Sequence, residues 1–216
     1  MNKVVLLGNP NVGKTSIFNA LTKSNEHTGN WTGKTVDFAN KKYTYNKQIY
    51  NLIDLPGTYS LYSYSKEEEV TRDYIYFEKY DTILIVIDST LLERNMNLVL
   101  ETLEINKNAI LCLNLIDLAN KKGINIDTKK LEKELGIPVI KVCSNNKKDI
   151  TRLKKVIEKN INKKSNPYTL QYSKDEDKMI EEVKEILNKK KTKAKIDLAE
   201  VQEKRIKKLE GIFTKN

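Results

Sequence analysis

Five short runs dense in valine, isoleucine and leucine mark the chain at residues 4–7, 49–53, 82–87, 109–113 and 139–142. Near-continuous apolar runs of this length suit strands of a parallel sheet covered on both faces. Between them, residues 15–21, 93–105, 128–135 and 151–161 repeat apolar positions at helical spacing, with charged residues on the other side. Strand and helix in alternation predict a doubly wound α/β sheet with helices on both faces. Residues 38–50, where Tyr43 and Tyr45 alternate with polar neighbours, predict an antiparallel edge hairpin running into 49–53. The sheet is therefore expected to be mostly parallel, with one antiparallel edge strand.

The pattern changes after Ser165. Asn166-Pro167 interrupts the preceding helix, and Met179, Ile180, Val183, Ile186 and Leu187 then line one face of a further helical stretch. A lysine-rich link at 189–195 leads to a second helix, where Asp197 and Glu200 have capping spacing and Leu198, Val201, Leu209 and Ile212 form a stripe. The reading is an α/β domain at 1–164 and a helical appendage, in a regulatory position, at 165–216. A chain of 216 residues, 39% hydrophobic and 31% charged, has enough apolar material for a core. No run approaches the roughly 18 apolar residues of a membrane span. The run at 4–7 is too short for a signal peptide. Cys112 and Cys143 are too few for a disulfide framework, and the whole reads as cytoplasmic. The net charge of +10 owes much to lysines between 147 and 164. A solvated face and an anionic partner both account for it.

Chemistry enters at the end of the first run. Gly8-Asn9-Pro10-Asn11-Val12-Gly13-Lys14-Thr15 fits G-x-x-x-x-G-K-[ST], with a strand before it and a helix after. Glycines let the backbone curl around a phosphate, so that amides and a helix N-terminus converge on negative charge. Lys14 is expected at the β and γ phosphates, the Thr15 hydroxyl on Mg²⁺, and Ser16 beside them. Asp54-Leu55-Pro56-Gly57 closes another strand, where Asp54 can hold Mg²⁺ through water and the Gly57 amide can meet the γ-phosphate.

Asn114-Leu115-Ile116-Asp117 ends a later parallel strand, on the edge where loops ring a ligand. The Asp117 carboxylate can accept two hydrogens from guanine, at N1–H and the exocyclic amine. Adenine has a bare N1 there, and an unmatched buried polar group costs roughly 1–3 kcal/mol. The expected nucleotide is GTP or GDP. Cys143, Ser144 and Asn145 fall where a last base-contacting loop belongs.

Together these motifs resemble the TRAFAC-type GTPases, and their wording is similar to the G domain of the FeoB ferrous iron transporters. The likeness covers roughly residues 3 to 160. It rests on the phosphate loop extended through Ser16-Ile17-Phe18-Asn19, on Gly29-Asn30-Trp31 with Gly33 and Thr35, on Asp54 through Leu61, and on Asp88 with Leu92-Glu93-Arg94-Asn95. Thr32 stands where that family usually has proline, Leu115 where it has methionine, and Cys143-Ser144 where it has Ser-Ala. The resemblance implies a Ras-like P-loop fold and GTP hydrolysis. It implies Thr35 as an Mg²⁺ ligand when switch I is ordered, and Asn11 as a K⁺ ligand in place of an arginine finger. It further implies a cytoplasmic domain of an inner-membrane protein, whose membrane-embedded portion lies outside these residues. Homo-oligomer formation is left open.

Thr58 occupies the position where many small GTPases carry a water-orienting glutamine, so backbone groups or a partner must hold the water. His27 and Trp31 are given no catalytic part, and Arg72 and Arg94 are read as surface salt-bridge partners. Two rival readings stay open. A soluble GTPase of ribosome or tRNA maturation suits the +10 charge, although no Gly-x-x-Gly loop of the KH type marks the tail and nucleic acid is not the expected partner. A switch or scaffold with negligible turnover is the other.

Overall fold

The computed structural model describes residues 1–23, 39–62, 65–106 and 108–161. Thr35, Trp31 and His27 lie outside that set, as does the appendage expected at 165–216. The order is β1 (Asn2–Gly8), α1 (Lys14–Thr22), β2 (Ala39–Tyr45), β3 (Gln48–Asp54), α2 (Lys66–Phe77), β4 (Thr82–Asp88), α3 (Leu92–Ile105), β5 (Ala109–Asn114), α4 (Ile116–Lys121), α5 (Thr128–Leu135), β6 (Val139–Lys141) and α6 (Lys147–Ile161). The strands form one sheet in the order β2-β3-β1-β4-β5-β6. All pairings are parallel except β2 with β3. The mostly parallel sheet with an antiparallel edge strand is thus observed.

Alternation along each strand divides the core in two. Val5, Leu7, Ile53, Ile83, Ile85, Leu111 and Leu113 pack on one face with Tyr74 and Ile75 of α2, Val99 and Leu103 of α3, and Leu135 of α5. Val4, Leu6, Leu52, Leu84, Val86, Ile110 and Cys112 pack on the other with Ile17, Phe18 and Leu21 of α1 and Ile150, Leu153 and Ile157 of α6. Burial on both sides is what lets the strands read as unbroken apolar runs. Among the described residues, no helix is long and apolar enough to cross a membrane.

Two helices were not expected. In α2 only Val70, Tyr74 and Ile75 supply a buried apolar face, and charged side chains surround them. What starts it is a capping box: Ser65 Oγ accepts from the Glu68 amide at 3.2 Å, and Glu68 Oε2 accepts from the Ser65 amide at 3.3 Å. The other, α4, is a six-residue turn of helix after Asn114. Helix α6 begins at Lys147, a turn ahead of the expected 151, and β6 stops at Lys141.

The parallel registers bring functional positions to one edge. Leu6 pairs with Asp54, Gly8 with Val86, and Asp88 with Asn114, so the carboxyl ends of β1, β3, β4 and β5 lie side by side. Ligands bind at that edge in open α/β sheets.

At the far edge the β2–β3 hairpin turns through Asn46 and Lys47, with φ of 47° and 63°, between the paired Tyr45 and Gln48. Two left-handed residues in a two-residue loop make a type I′ turn. Lys47→Gly is expected to raise stability by about 0.5 kcal/mol, because relief of left-handed strain outweighs the added freedom of the unfolded chain. A urea midpoint shifted upward at constant m-value is the supporting result, and a downward shift contradicts the turn assignment.

Candidate functional site

The loop between β1 and α1 is wound by backbone geometry. Asn11 has φ of 63° and Gly13 of 79°, both left-handed. Gly13 is also the N-cap of α1 and offers no side-chain cap, so the first amides of that helix are free to meet an anion. A Cβ at Gly13 would fall 2.4 Å from Asn114 Nδ2, too close for any other residue. Asn114, at the end of β5, is fully buried, and its Nδ2 donates to the Val12 carbonyl at 2.9 Å. The loop is therefore held from beneath by the strand that also leads to Asp117. Asn9 Oδ1 and Asn114 Oδ1 are buried acceptors with no hydrogen-bond partner among the described residues. Asn11, Thr15 and Ser16 face outward.

Lys14 reaches back across the sheet edge. Its Nζ donates to Asp54 Oδ1 at 2.8 Å and to the Leu55 carbonyl at 2.6 Å. Asp54 Oδ2 stands 3.5 Å from Thr15 Oγ1, at the outer limit of a hydrogen bond. The ammonium and carboxylate are 11% and 7% exposed, so this is a largely desolvated pair. Such a pair is weak evidence for stability by itself. Its value is in bringing a cation, a carboxylate and a hydroxyl within one small volume. Thr15 and Asp54 are hard oxygen donors of the kind Mg²⁺ takes, and their convergence fits that ion. Gly57 lies against the same loop: a Cβ there would be 3.0 Å from Pro10 Cα.

The segment after Gly57 is tied at several points. The Thr58 amide donates to the Gly8 carbonyl at 3.2 Å, and Thr71 Oγ1 of α2 donates to the Pro56 carbonyl at 3.1 Å. The Thr58 side chain is fully buried, its hydroxyl against the Ser60 carbonyl and 3.3 Å from Glu68 Oε1, so it does not point toward the phosphate loop. Sequence reasoning passed over Glu101 of α3. It is 6% exposed and accepts from the Leu61 amide at 2.7 Å, from Ser60 Oγ at 3.0 Å and from Asn97 Nδ2 at 2.9 Å. Burial pushes its carboxyl up to about 7, although the three hydrogen bonds act the other way. The available signal was an acidic residue between the apolar Leu98 and Leu103 of one helix.

Of the two arginines, Arg72 pairs with Asp73 at 2.8 Å and Glu69 at 3.4 Å, as expected. For Arg94 the contact observed is aromatic: its guanidinium lies 5.0 Å over the Tyr59 ring. At an exposed site such a cation–π contact contributes about 0.5–1 kcal/mol, comparable to a surface ion pair.

At the base end, Leu115 has φ of 58° and leads into α4, which carries Asp117 exposed in its first turn. Ser89 Oγ donates to the Asn114 carbonyl at 2.5 Å and holds the strand end. The loop at 143–145 follows β6 and is set beside β5 by the Val142 amide on the Leu113 carbonyl, 2.8 Å. The Cys143 amide donates to Asp149 Oδ2 at 2.9 Å. Cys143 and Ser144 are half-buried and Asn145 is exposed. Both cysteines are free thiols. Hydrogen bonds and close packing thus join Gly8, Pro10, Val12, Gly13, Lys14, Thr15, Asp54, Gly57 and Asn114, while Asp117 and the 143–145 loop sit on neighbouring turns of the same edge.

This arrangement has known counterparts. Residues 2–157 match the family described as ferrous iron transport protein B. The Fe(2+) transporter FeoB of Staphylococcus aureus (strain COL) is 46% identical over 142 residues, 66% of this chain and 21% of the relative. The transporter of Helicobacter pylori (strain J99 / ATCC 700824) is 47% identical over 134 residues, 62% of this chain and 21% of the relative. The chain thus spans about a fifth of the length of these curated relatives. The cytosolic domain of the T. maritima FeoB iron transporter, solved in a GMPPNP form, superposes with a TM-score of 0.81 at 42% identity, covering 89% of this chain and 76% of that one. The FeoB G domain of Methanococcus jannaschii gives a TM-score of 0.68 at 42% identity, covering 76% of this chain and all of that one. With a Ras-like P-loop fold, and with nearly three-quarters of its length matched to one family, the chain belongs to the ferrous iron transport protein B family.

Proposed function

We propose that this chain binds and hydrolyses GTP as the cytoplasmic G domain of a ferrous iron transporter, passing its nucleotide state to a membrane-embedded portion. The observation that carries the reading is the left-handed loop of Asn11 and Gly13, buttressed by Asn114, with Lys14, Thr15 and Asp54 converging at the same sheet edge. A relative's cytosolic domain solved in GDP and GMPPNP forms supports guanine nucleotide as the ligand. Membership of the iron transport family favours this reading over ribosome or tRNA maturation.

The chain's own groups divide the work. Amides of the loop and of the first turn of α1 bind the phosphates. Lys14 exchanges its Asp54 partner for phosphate oxygens, which leaves the Asp54 carboxylate facing Thr15 Oγ1. Thr15, Asp54 and, from switch I, Thr35 would hold Mg²⁺. When bound, the ion supplies positive charge that offsets charge developing on the transferred phosphoryl group. Gly57 presents its amide toward the γ-phosphate, and backbone groups of the loop after it orient the attacking water. Asp117 accepts from N1–H and the amine of guanine, while amides of the 143–145 loop close over the base. Asn11 would hold K⁺, which would supply a further positive charge beside the phosphates in the manner of an arginine finger.

Lys14→Ala is expected to weaken GTP binding by about 100-fold, the loss of a charge-assisted contact, in a fluorescent-nucleotide titration. Unchanged affinity overturns the phosphate site. Asp117→Asn presents an N–H where guanine also has one, and replaces a match by a clash. Xanthine carries a carbonyl in place of the amine, so this variant should favour xanthosine triphosphate by roughly 10- to 100-fold. Retained preference for GTP removes Asp117 from base selection. Single-turnover hydrolysis in K⁺ and in Na⁺ tests the cation: K⁺ should accelerate the wild type, and Asn11→Ala should abolish the difference.

A further inference from the structure

On α3, beside the loop that follows Gly57, three side chains at residues 94, 97 and 101 share one face, being spaced by three and four residues. Arg94 covers the Tyr59 ring, and Glu101 receives the Leu61 amide and Ser60 hydroxyl. Asn97 completes the set by donating to Glu101 Oε1. We propose that Glu101 is a positioning residue for GTP hydrolysis, clamping Ser60 and Leu61 to α3 so that the backbone between Gly57 and Leu61 keeps the geometry the reaction needs. The proposal rests on the GTPase reading above.

The clamp acts at one end of a very short path. Upstream, the loop is fixed by the Thr58 amide on Gly8 and by Thr71 on Pro56. Downstream, it is fixed by Glu101, and Leu61 itself is buried in the core at 2% exposure. Only Tyr59, 47% exposed, stands between the tied residues, and Arg94 of the same helix lies over it. Ser60 Oγ is the hinge of the contact: it lies 3.0 Å from both carboxylate oxygens and accepts from the Tyr62 amide at 3.0 Å.

Two features argue against plain packing. Thr58 has no side-chain amide to orient water and its hydroxyl is turned inward, so the path of the backbone carries the geometry instead. A carboxylate is also a poor filler for a buried site. Burial raises its pKa against the pull of three donors, so placing a carboxyl here carries a desolvation cost that an apolar residue of similar size avoids. The charged group that adds to the rise is Glu104 on its own helix, a like charge. The groups that meet the carboxylate belong to the loop and to Asn97.

The test compares Glu101→Leu, Glu101→Gln and wild type in the 216-residue chain. Leucine fills the volume and strands the Leu61 amide; glutamine keeps an acceptor for that amide. Glu101→Leu should fold, hold GDP within about twofold of wild type, and lower kcat by about 10- to 100-fold, the penalty for a misplaced reacting group. Glu101→Gln should recover kcat to within about threefold, since its acceptor preserves the clamp. Hydrogen exchange read at the Leu61 amide should quicken in the leucine variant and not in the glutamine variant. A folded Glu101→Leu with wild-type kcat overturns the proposal, and so does a glutamine variant as slow as leucine despite a protected Leu61 amide. A wild-type chain that hydrolyses no GTP removes the reading beneath it, and a Leu61 amide that then exchanges alike in all three proteins removes the clamp as well.

Discussion

One buried amide joins the two halves of the nucleotide site. Asn114 donates from its side chain to the Val12 carbonyl, 102 residues earlier in the chain. The bond fixes the height of the phosphate loop relative to the end of β5, from which the base-selecting turn departs. It also dictates Gly13, because the amide occupies the space any side chain there would need. Loop, strand end and glycine form one constraint. A buried hydrogen bond of this kind is modest in net stability but costly to leave half-made, and so it specifies position more than it stabilises.

The charges follow from that frame. Lys14 leaves the first turn of α1 and finds Asp54 because β1 and β3 are paired with Leu6 opposite Asp54. Neither group is deeply isolated, and each has a second neighbour, Leu55 for the lysine and Thr15 for the aspartate. A pair poised in this way can part when a more highly charged ligand arrives, since the carboxylate and hydroxyl already face one another. Farther along, Glu101 plays a different electrostatic part: among the described residues it is met by neutral donors from Ser60, Leu61 and Asn97, and it holds backbone in place.

The sheet was legible because its signal is redundant. Runs such as 83–87 and 109–113 are apolar at every position, and no helix of ordinary amphipathicity reads so. The phosphate loop was legible because its chemistry demands fixed spacing between Gly8, Gly13 and Lys14. Helix α2 was not, since three buried apolar side chains among acids and bases leave too faint a stripe, and the Ser65–Glu68 box is short enough to overlook. Glu101 escaped for the opposite reason. Polarity assigns a glutamate to the surface, and only the course of residues 60–61 across α3 shows why this one lies inside. Arg94 likewise followed an aromatic ring that sequence spacing could not place beside it.

Gly8 has a consequence beyond its turn. In β1 both faces are apolar, so sliding the strand along β4 would bury much the same kinds of surface, and polarity offers little resistance. What stops the slide is bulk. A Cβ at Gly8 would stand 2.2 Å from the Val86 carbonyl, so Leu7 or Asn9 brought to that place would collide with the neighbouring backbone. The bare α-carbon thus acts as a phasing mark between two otherwise interchangeable strands, and through them it sets how far the lysine-bearing helix projects over the aspartate.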